Sequence, residues 1–278
     1  MHDPLFHLGP LPVHPFGFFA ALGVVAGYVV ALRLASRAEL PLRHLPGMLV
    51  VVAPGGFIAA RLGYVARHPQ AASDGVQGVL ALWHGGLSLD TGIIGGVVLL
   101  ALVVWARRES WWRWTDALAP AAAVGLGIGM LGLPLAREGW GKPTAGPFFM
   151  PVDPTLLPVQ YINDARFEPV FAYETAFFAL LALFLWAVTR RQRRLGRPPT
   201  GTVGLLFLAL TMVAYAAVRP LTLDAANAGL VLETQVLCAA AAAVALVLLI
   251  PRVWRARLDA EVTREIEAVR RRRGARAR

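Results

Sequence analysis

"PFGFFAALGVVAGYVVALRL", residues 15–34, is a run of twenty residues with a single charge, Arg33, near its end. About 20 apolar residues are what an α-helix needs to cross the roughly 30 Å hydrocarbon core of a bilayer. Six further runs read the same way: Leu45–Ala66, Asp90–Ala106, Asp116–Leu135, Pro169–Thr189, Gly201–Leu221 and Leu230–Ile250. Every backbone N–H and C=O at hydrocarbon depth needs an internal partner, so these runs are expected to be helices. The alternating pattern of an outer-membrane barrel is absent. The expected fold is all-α: a polytopic membrane protein with seven transmembrane helices in residues 1–251 and a basic tail at 252–278. Composition agrees, with 57% apolar and 16% charged residues, where a soluble globular chain carries about 25% charge.

The arginines predict an orientation. The first connection holds Arg33, Arg37 and Arg43, the third Arg107, Arg108 and Arg113, and the fifth "RRQRRLGR"; the tail from Arg252 is the most basic of all. The alternate connections hold Arg67, then Arg137, Lys142 and Arg166, then no basic residue between Thr222 and Gly229. By the positive-inside rule the N-terminus lies outside and the C-terminus in the cytoplasm. The net charge of +10 is therefore mostly topogenic arginine and does not point to nucleic acid. The tail around 252–273 can form an amphipathic helix, and its end, "RRRRGARAR", either touches anionic headgroups or is a solvated charge run. The first apolar run ends in "RLASR", a stop-transfer pattern, so no cleavable signal peptide is expected. Cys238 lies in the seventh run and reads as a small packing residue. No internal repeat supports an inverted-repeat transporter.

Ionisable groups inside a membrane are expensive and are functional hypotheses by default. Arg61 lies in "GGFIAARLGYV", Glu174 in "FAYETAF", and Arg219 near the end of the sixth run. The plainer reading of each is a buried ion pair or an interfacial anchor. Small neighbours around Arg61 would admit a second helix or a headgroup. Asp116 reads as a residue at the start of its own helix. "WHGGLSLDTGIIGG", residues 83–96, sets Asp90 in a glycine run. A re-entrant loop there would bring Asp90 and His84 to one aqueous pocket, although a lone His84 is commonly just an interfacial residue. Residues 136–168 form a long connection rich in Pro, Gly and Trp, of a length that tends to be functional or disordered. "GLGIG" at 125–129 lies inside a run and reads as small-residue helix packing. Walker, HExxH, CxxC and GxSxG patterns are absent.

These stretches, taken in order, resemble the bacterial prolipoprotein diacylglyceryl transferases over most of the chain. "LGPLPVHPFGFFAALGVVAGY" resembles that family's entry into its first helix and "GGFIAARLGYV" its second-helix motif. "WHGGLSLDTGIIGG" is similar to the family's W-x-G-G-L-S-F-H-G-G-L-I-G signature. "EGWGKPT" resembles the end of its long signature, "EPVFAYE" its H-P-x-Q-x-Y-E element, and "ETQVL" the opening of its last helix.

The resemblance implies a multi-pass protein of the bacterial cytoplasmic (inner) membrane. It would move the diacylglyceryl group of phosphatidylglycerol, or a related anionic phospholipid, to a cysteine thiol in a prolipoprotein signal peptide, with no metal or organic cofactor. Such chemistry needs a base for the thiol and cations for the phosphate. Asp90 takes the base position, and Arg61, Glu138, Gly141, Tyr173, Glu174 and Arg219 remain at matched positions, with Arg61, Glu138, Gly141, Glu174 and Arg219 as candidate headgroup ligands; a gapped match would let Arg137 replace a lost cation, and His84 joins Asp90 as a catalytic candidate from its place in the same glycine stretch. Several signature positions differ. Asp90 replaces the family's histidine, Met130 and Leu133 stand where G-R-x-G-N has its Arg and Asn, and Met212 and Ala216 replace the first Arg and the Glu of R-F-x-x-E-x-x-R. The ordinary pKa of an aspartate is about 4.5 below that of a thiol, so Asp90 is a weaker base than the histidine. Three readings follow: an active transferase, a non-catalytic relative that keeps a lipid pocket or binds a partner, or an enzyme acting on a different lipid.

Overall fold

A computed structural model describes residues 6–8, 11–72, 75, 77–78, 86–136, 138–153, 157, 161–162, 164–196, 200–223 and 228–276. A short antiparallel hairpin, β1 (Phe6–Leu8) and β2 (Leu11–Val13), precedes the helices. The helices are α1 (Pro15–Arg37), α2 (Leu45–Arg67), α3 (Leu89–Ala106), α4 (Trp111–Met130), the short α5 (Gly132–Leu135), α6 (Val170–Arg194), α7 (Thr202–Val218) and α8 (Ala228–Arg276). Among the described residues, seven stretches are long and apolar enough to cross a membrane: Pro15–Arg37, Leu42–Arg67, Leu89–Ala106, Trp111–Leu135, Val170–Arg194, Thr202–Leu221 and Gly229–Trp254. They coincide with the seven apolar runs, and the chain is a multi-pass membrane protein. Helix ends extend past the apolar runs, to Arg37 in α1 and back to Trp111 in α4, because arginine and tryptophan reach into the interfacial layer. The last span and the tail are one helix, α8, which passes through Pro251.

Close helix pairs rest on small residues. α1 lies along α4, α2 along α3, and α7 along α8. A Cβ added at Gly23 would sit 2.3 Å from the carbonyl oxygen of Gly125, so "GLGIG" is a helix-packing stripe. A Cβ at Gly92 would lie 2.9 Å from Cβ of Ala60, and one at Gly95 would lie 2.3 Å from Cβ of Ala59. The glycines that follow Asp90 therefore bring α3 against α2. Without a hydrophobic drive between helices in lipid, such close approach supplies the dispersion contact that holds them. Trp114, Met48 and Val104 belong to one core cluster, and Phe178, Leu185, Met212 and Cys238 to a second. Trp105 is 79% exposed and Val50 71%, the inverse of a soluble protein, as lipid solvation requires.

The arginine-rich connections also close helix ends. Nη2 of Arg113 donates to the carbonyl of Ala38 at 2.6 Å and Nη2 of Arg193 to that of Leu34 at 3.2 Å, both at the C-terminus of α1. Nη1 of Arg107 donates to the His44 carbonyl at 3.0 Å. Nε of Arg252 donates to Thr200 at 2.9 Å while its guanidinium lies 4.0 Å from the centre of the Trp112 ring. At the C-terminus of α1 the two cations satisfy orphan acceptors and complement the helix dipole, whereas the His44 and Thr200 contacts tie down the chain just before α2 and α7. Asp116 differs from its expected place. It stands one and a half turns into α4, and its carboxylate accepts the N–H groups of Gly201 (2.9 Å), Val203 (2.8 Å) and Gly204 (3.0 Å). It caps α7 rather than its own helix.

Candidate functional site: a lipid-sized cavity with one polar end

A cavity of about 800 Å³ runs between α1, α2, α3, α4 and α7. Gly23, Gly27, Gly56, Gly92 and Gly125 line it together with Val24, Phe57, Ile93, Leu118 and Leu126, so most of its wall is apolar. It reaches Trp111 and Trp112 at one end. At the other end, where α2 finishes and α3 begins, its lining includes Tyr64, Glu138, Glu174, Tyr215 and Arg219. Arg219, at the end of α7, is 9% exposed and interacts electrostatically with Glu174 in the second turn of α6. Tyr215, one helical turn before Arg219, lies within the fields of Asp90, Arg219, Glu174 and Arg67. A cation beside an apolar chamber suits a phosphate attached to acyl chains.

Asp90 does not share this chamber. It is fully buried, and its two carboxylate oxygens accept Nη1 and Nη2 of Arg67 at 3.0 and 2.5 Å. Arg67, and not Arg61, is the partner of Asp90. The bidentate fork matches a planar guanidinium to a carboxylate and ties the last residue of α2 to the first turn of α3. Arg61 is likewise buried, at 5% exposure. It donates to the carbonyls of Gly78 (2.7 Å) and Gly86 (3.2 Å), and its guanidinium lies 5.6 Å from the centre of the Tyr64 ring. Arg61 therefore ties Gly78 and Gly86 to α2. Gly86 has φ +70° and packs on Tyr64. His84 and Arg137 lie outside the described residues.

Gly141 belongs to a small ribbon at the polar end. Its N–H donates to the Glu168 carbonyl at 2.7 Å, the Lys142 N–H donates to the Leu221 carbonyl at 2.8 Å, and Gly141 pairs with Thr222. A Cβ there would fall 2.2 Å from the Leu221 oxygen, so glycine is needed for the approach. Pro143 and Met150 both bridge to Phe167. The described part of the long connection is thus folded against the ends of α6 and α7. Glu168 accepts the Tyr173 hydroxyl at 2.7 Å. Hydrogen bonds from Thr144 and Tyr173, with Lys142 nearby, hold its carboxyl below the usual carboxylate range.

Of the residues carried over by resemblance, the structure brings Glu138, Glu174 and Arg219 to the cavity. It places Asp90, Arg61 and Gly141 in the scaffold around it. Met130 and Leu133 also line the cavity, so apolar side chains face it where the family motif has Arg and Asn. Met212 is fully buried in the helix core. Arg67 and Tyr215 were not picked out from the sequence. Arg67 carried a signal, being the lone basic residue in an otherwise bare connection. Tyr215 shares a helix face with Arg219 at i, i+4.

Fold and cavity together define a multi-pass membrane protein with an internal chamber, apolar along its wall and polar at one end. A family model described as prolipoprotein diacylglyceryl transferase matches residues 3–251. The phosphatidylglycerol–prolipoprotein diacylglyceryl transferase of Synechococcus elongatus is 34% identical over 183 residues, covering 65% of this chain and 63% of that protein. The enzyme so named from Halalkalibacterium halodurans is 32% identical over 183 residues, 64% of this chain and 63% of that one. That of Staphylococcus aureus is 31% identical over 176 residues, 62% and 63%. The matched part of the chain spans 63% of the length of these relatives. The chain belongs to the prolipoprotein diacylglyceryl transferase family.

Proposed function

We propose that this protein transfers the diacylglyceryl group of phosphatidylglycerol to the thiol of a lipobox cysteine in a prolipoprotein signal peptide. The observation that carries the reading is the cavity, apolar along its length and ending at Arg219. Acyl chains are stabilised by the apolar wall. The guanidinium of Arg219 meets the phosphate and stabilises the charge that grows on it as the glyceryl C–O bond breaks. The thiol sulfur forms the new bond to that glyceryl carbon, and glycerol phosphate leaves. Family membership and the curated names of the relatives support the same chemistry.

The setting we assign is the bacterial cytoplasmic membrane, with the N-terminus outside and the arginine-rich connections and tail in the cytoplasm. The polar end of the cavity then faces the outer side, where a precursor presents its lipobox. Residues 1–251 form the membrane domain, and the basic continuation of α8 from 252 lies against the inner surface. Asp90 is assigned a structural task, as the partner of Arg67.

A strain depleted of its own transferase tests the reading. Expression of this protein should restore growth and lipoprotein modification, and Arg219→Ala should not. Failure of the wild-type chain, at normal membrane levels, counts against it. A second reading, a lipid-binding relative without transfer activity, is favoured by one feature: the family's histidine position is filled by a carboxylate sealed onto Arg67. In that case phosphatidylglycerol binds and no modification follows.

A further inference from the structure

We infer that Glu174 is the base that receives the thiol proton. This inference rests on the transferase reading above. A general base must come within hydrogen-bond reach of the proton it takes, and the proton in question enters with the acceptor thiol at the cavity. Asp90 fails that geometric test, being fully buried with both oxygens engaged by Arg67. Among the described residues lining the cavity, the carboxylates are Glu138 and Glu174. Glu138 follows α5 in a connection, whereas Glu174 stands in the second turn of the long helix α6, where its charge interacts with that of Arg219. It also borders a small apolar pocket shared with Tyr215, Thr211 and Phe178. Base and phosphate-binding cation therefore face the same chamber from rigid elements, as a preorganised site requires.

The step balances. The S–H proton passes to the Glu174 carboxylate as sulfur attacks the glyceryl carbon. The C–O bond breaks, and its electron pair leaves on glycerol phosphate. The proton then moves from Glu174 to a phosphate oxygen and restores the base. A carboxylate is ordinarily about 4 pH units less basic than a thiolate. The guanidinium of Arg219, held for the phosphate, also stabilises the thiolate as it forms.

The full-length protein in phosphatidylglycerol nanodiscs, given a synthetic lipobox peptide with one cysteine, tests the assignment by mass detection of the thioether product. Wild-type kcat should level off well below the pH of about 8.5 at which a free thiol ionises. Glu174→Gln should lower kcat by roughly 10²–10⁴-fold while leaving KM for the peptide within about threefold. Its residual rate should climb about tenfold per pH unit toward the free-thiol value, and Glu174→Asp should recover part of the loss. Undiminished kcat in Glu174→Gln overturns the inference. So does a wild-type rate that itself climbs about tenfold per pH unit up to about pH 8.5, a measurement that decides the matter even if the glutamine variant does not fold. Bound phosphatidylglycerol without product from the wild type overturns the transferase reading and the base with it. Product whose formation ignores Glu174 overturns the base alone.

Discussion

Arg67 and Asp90 form a buried bidentate ion pair, 3.0 and 2.5 Å between their paired atoms, that joins the end of α2 to the start of α3. Both side chains are excluded from solvent, at 5% and 0% exposure. Removing one partner leaves the other charge buried and uncompensated, which typically costs about 3–5 kcal/mol. Asp90→Asn should therefore lower the melting temperature in detergent well beyond the effect of a surface change. Arg67→Met with Asp90→Leu should recover most of the loss, since apolar replacement of a whole buried pair is often neutral. Thermal melts of Arg67→Met, Asp90→Leu and the double variant read the coupling directly. An unperturbed Asp90→Asn would show that the pair carries no stability.

Asp116 offers a second test of long-range structure. Its carboxylate satisfies three N–H groups at the start of α7. Asp116→Ala should cost about 1–2 kcal/mol, the upper range for losing an N-cap. Asp116→Asn, which keeps one acceptor oxygen, should cost less. Equal stability of all three proteins, measured by melting in detergent, would remove Asp116 from the scaffold.

Seven spans were legible in the sequence because hydrophobic length is a local property. Leu89–Ala106 and Val170–Arg194 follow directly from what a bilayer admits. The helix-packing role of Gly125 was legible for the same reason, a small residue inside a span. Partners were not legible. Arg67 meets Asp90 across a connection, and Asp116 meets Gly201 across two spans, so neither distance is encoded in a local pattern. The cavity lies among helices that the sequence does not place side by side. Asp90 drew attention as a base because of its motif position. Its burial against Arg67 is a tertiary fact.

Gly95 measures how tightly α2 and α3 are pressed together. A Cβ there would lie 2.3 Å from Cβ of Ala59. Gly95→Val should overpack the contact and cost about 1–3 kcal/mol, and Ala59→Gly in the same chain should restore part of it. Melting temperatures of the two variants check the expectation. Additive effects would mean that the residues do not touch.

Glu168 gives the loop ribbon a pH dependence of known sign. Its carboxyl titrates below its ordinary range, chiefly through the Thr144 hydrogen bond and then that of Tyr173. The contribution is full above the usual carboxylate range and is lost as pH falls through the lowered folded value. Protease protection of the 138–153 segment should weaken on acidification below that range, and Glu168→Gln should flatten the dependence. Protection that instead rises as pH falls would have the wrong sign.

Transfer itself is the central claim, and its products test it most directly. Purified protein in nanodiscs of phosphatidylglycerol with labelled acyl chains is incubated with a single-cysteine lipobox peptide, and both peptide and aqueous products are quantified. The account predicts a labelled diacylglyceryl thioether and an equal amount of glycerol phosphate. Arg219→Ala should lose roughly 10–100-fold of that rate, the equivalent of a hydrogen bond to a charged group. Phosphatidylglycerol that stays bound and intact, with an unmodified cysteine and no glycerol phosphate, would contradict it.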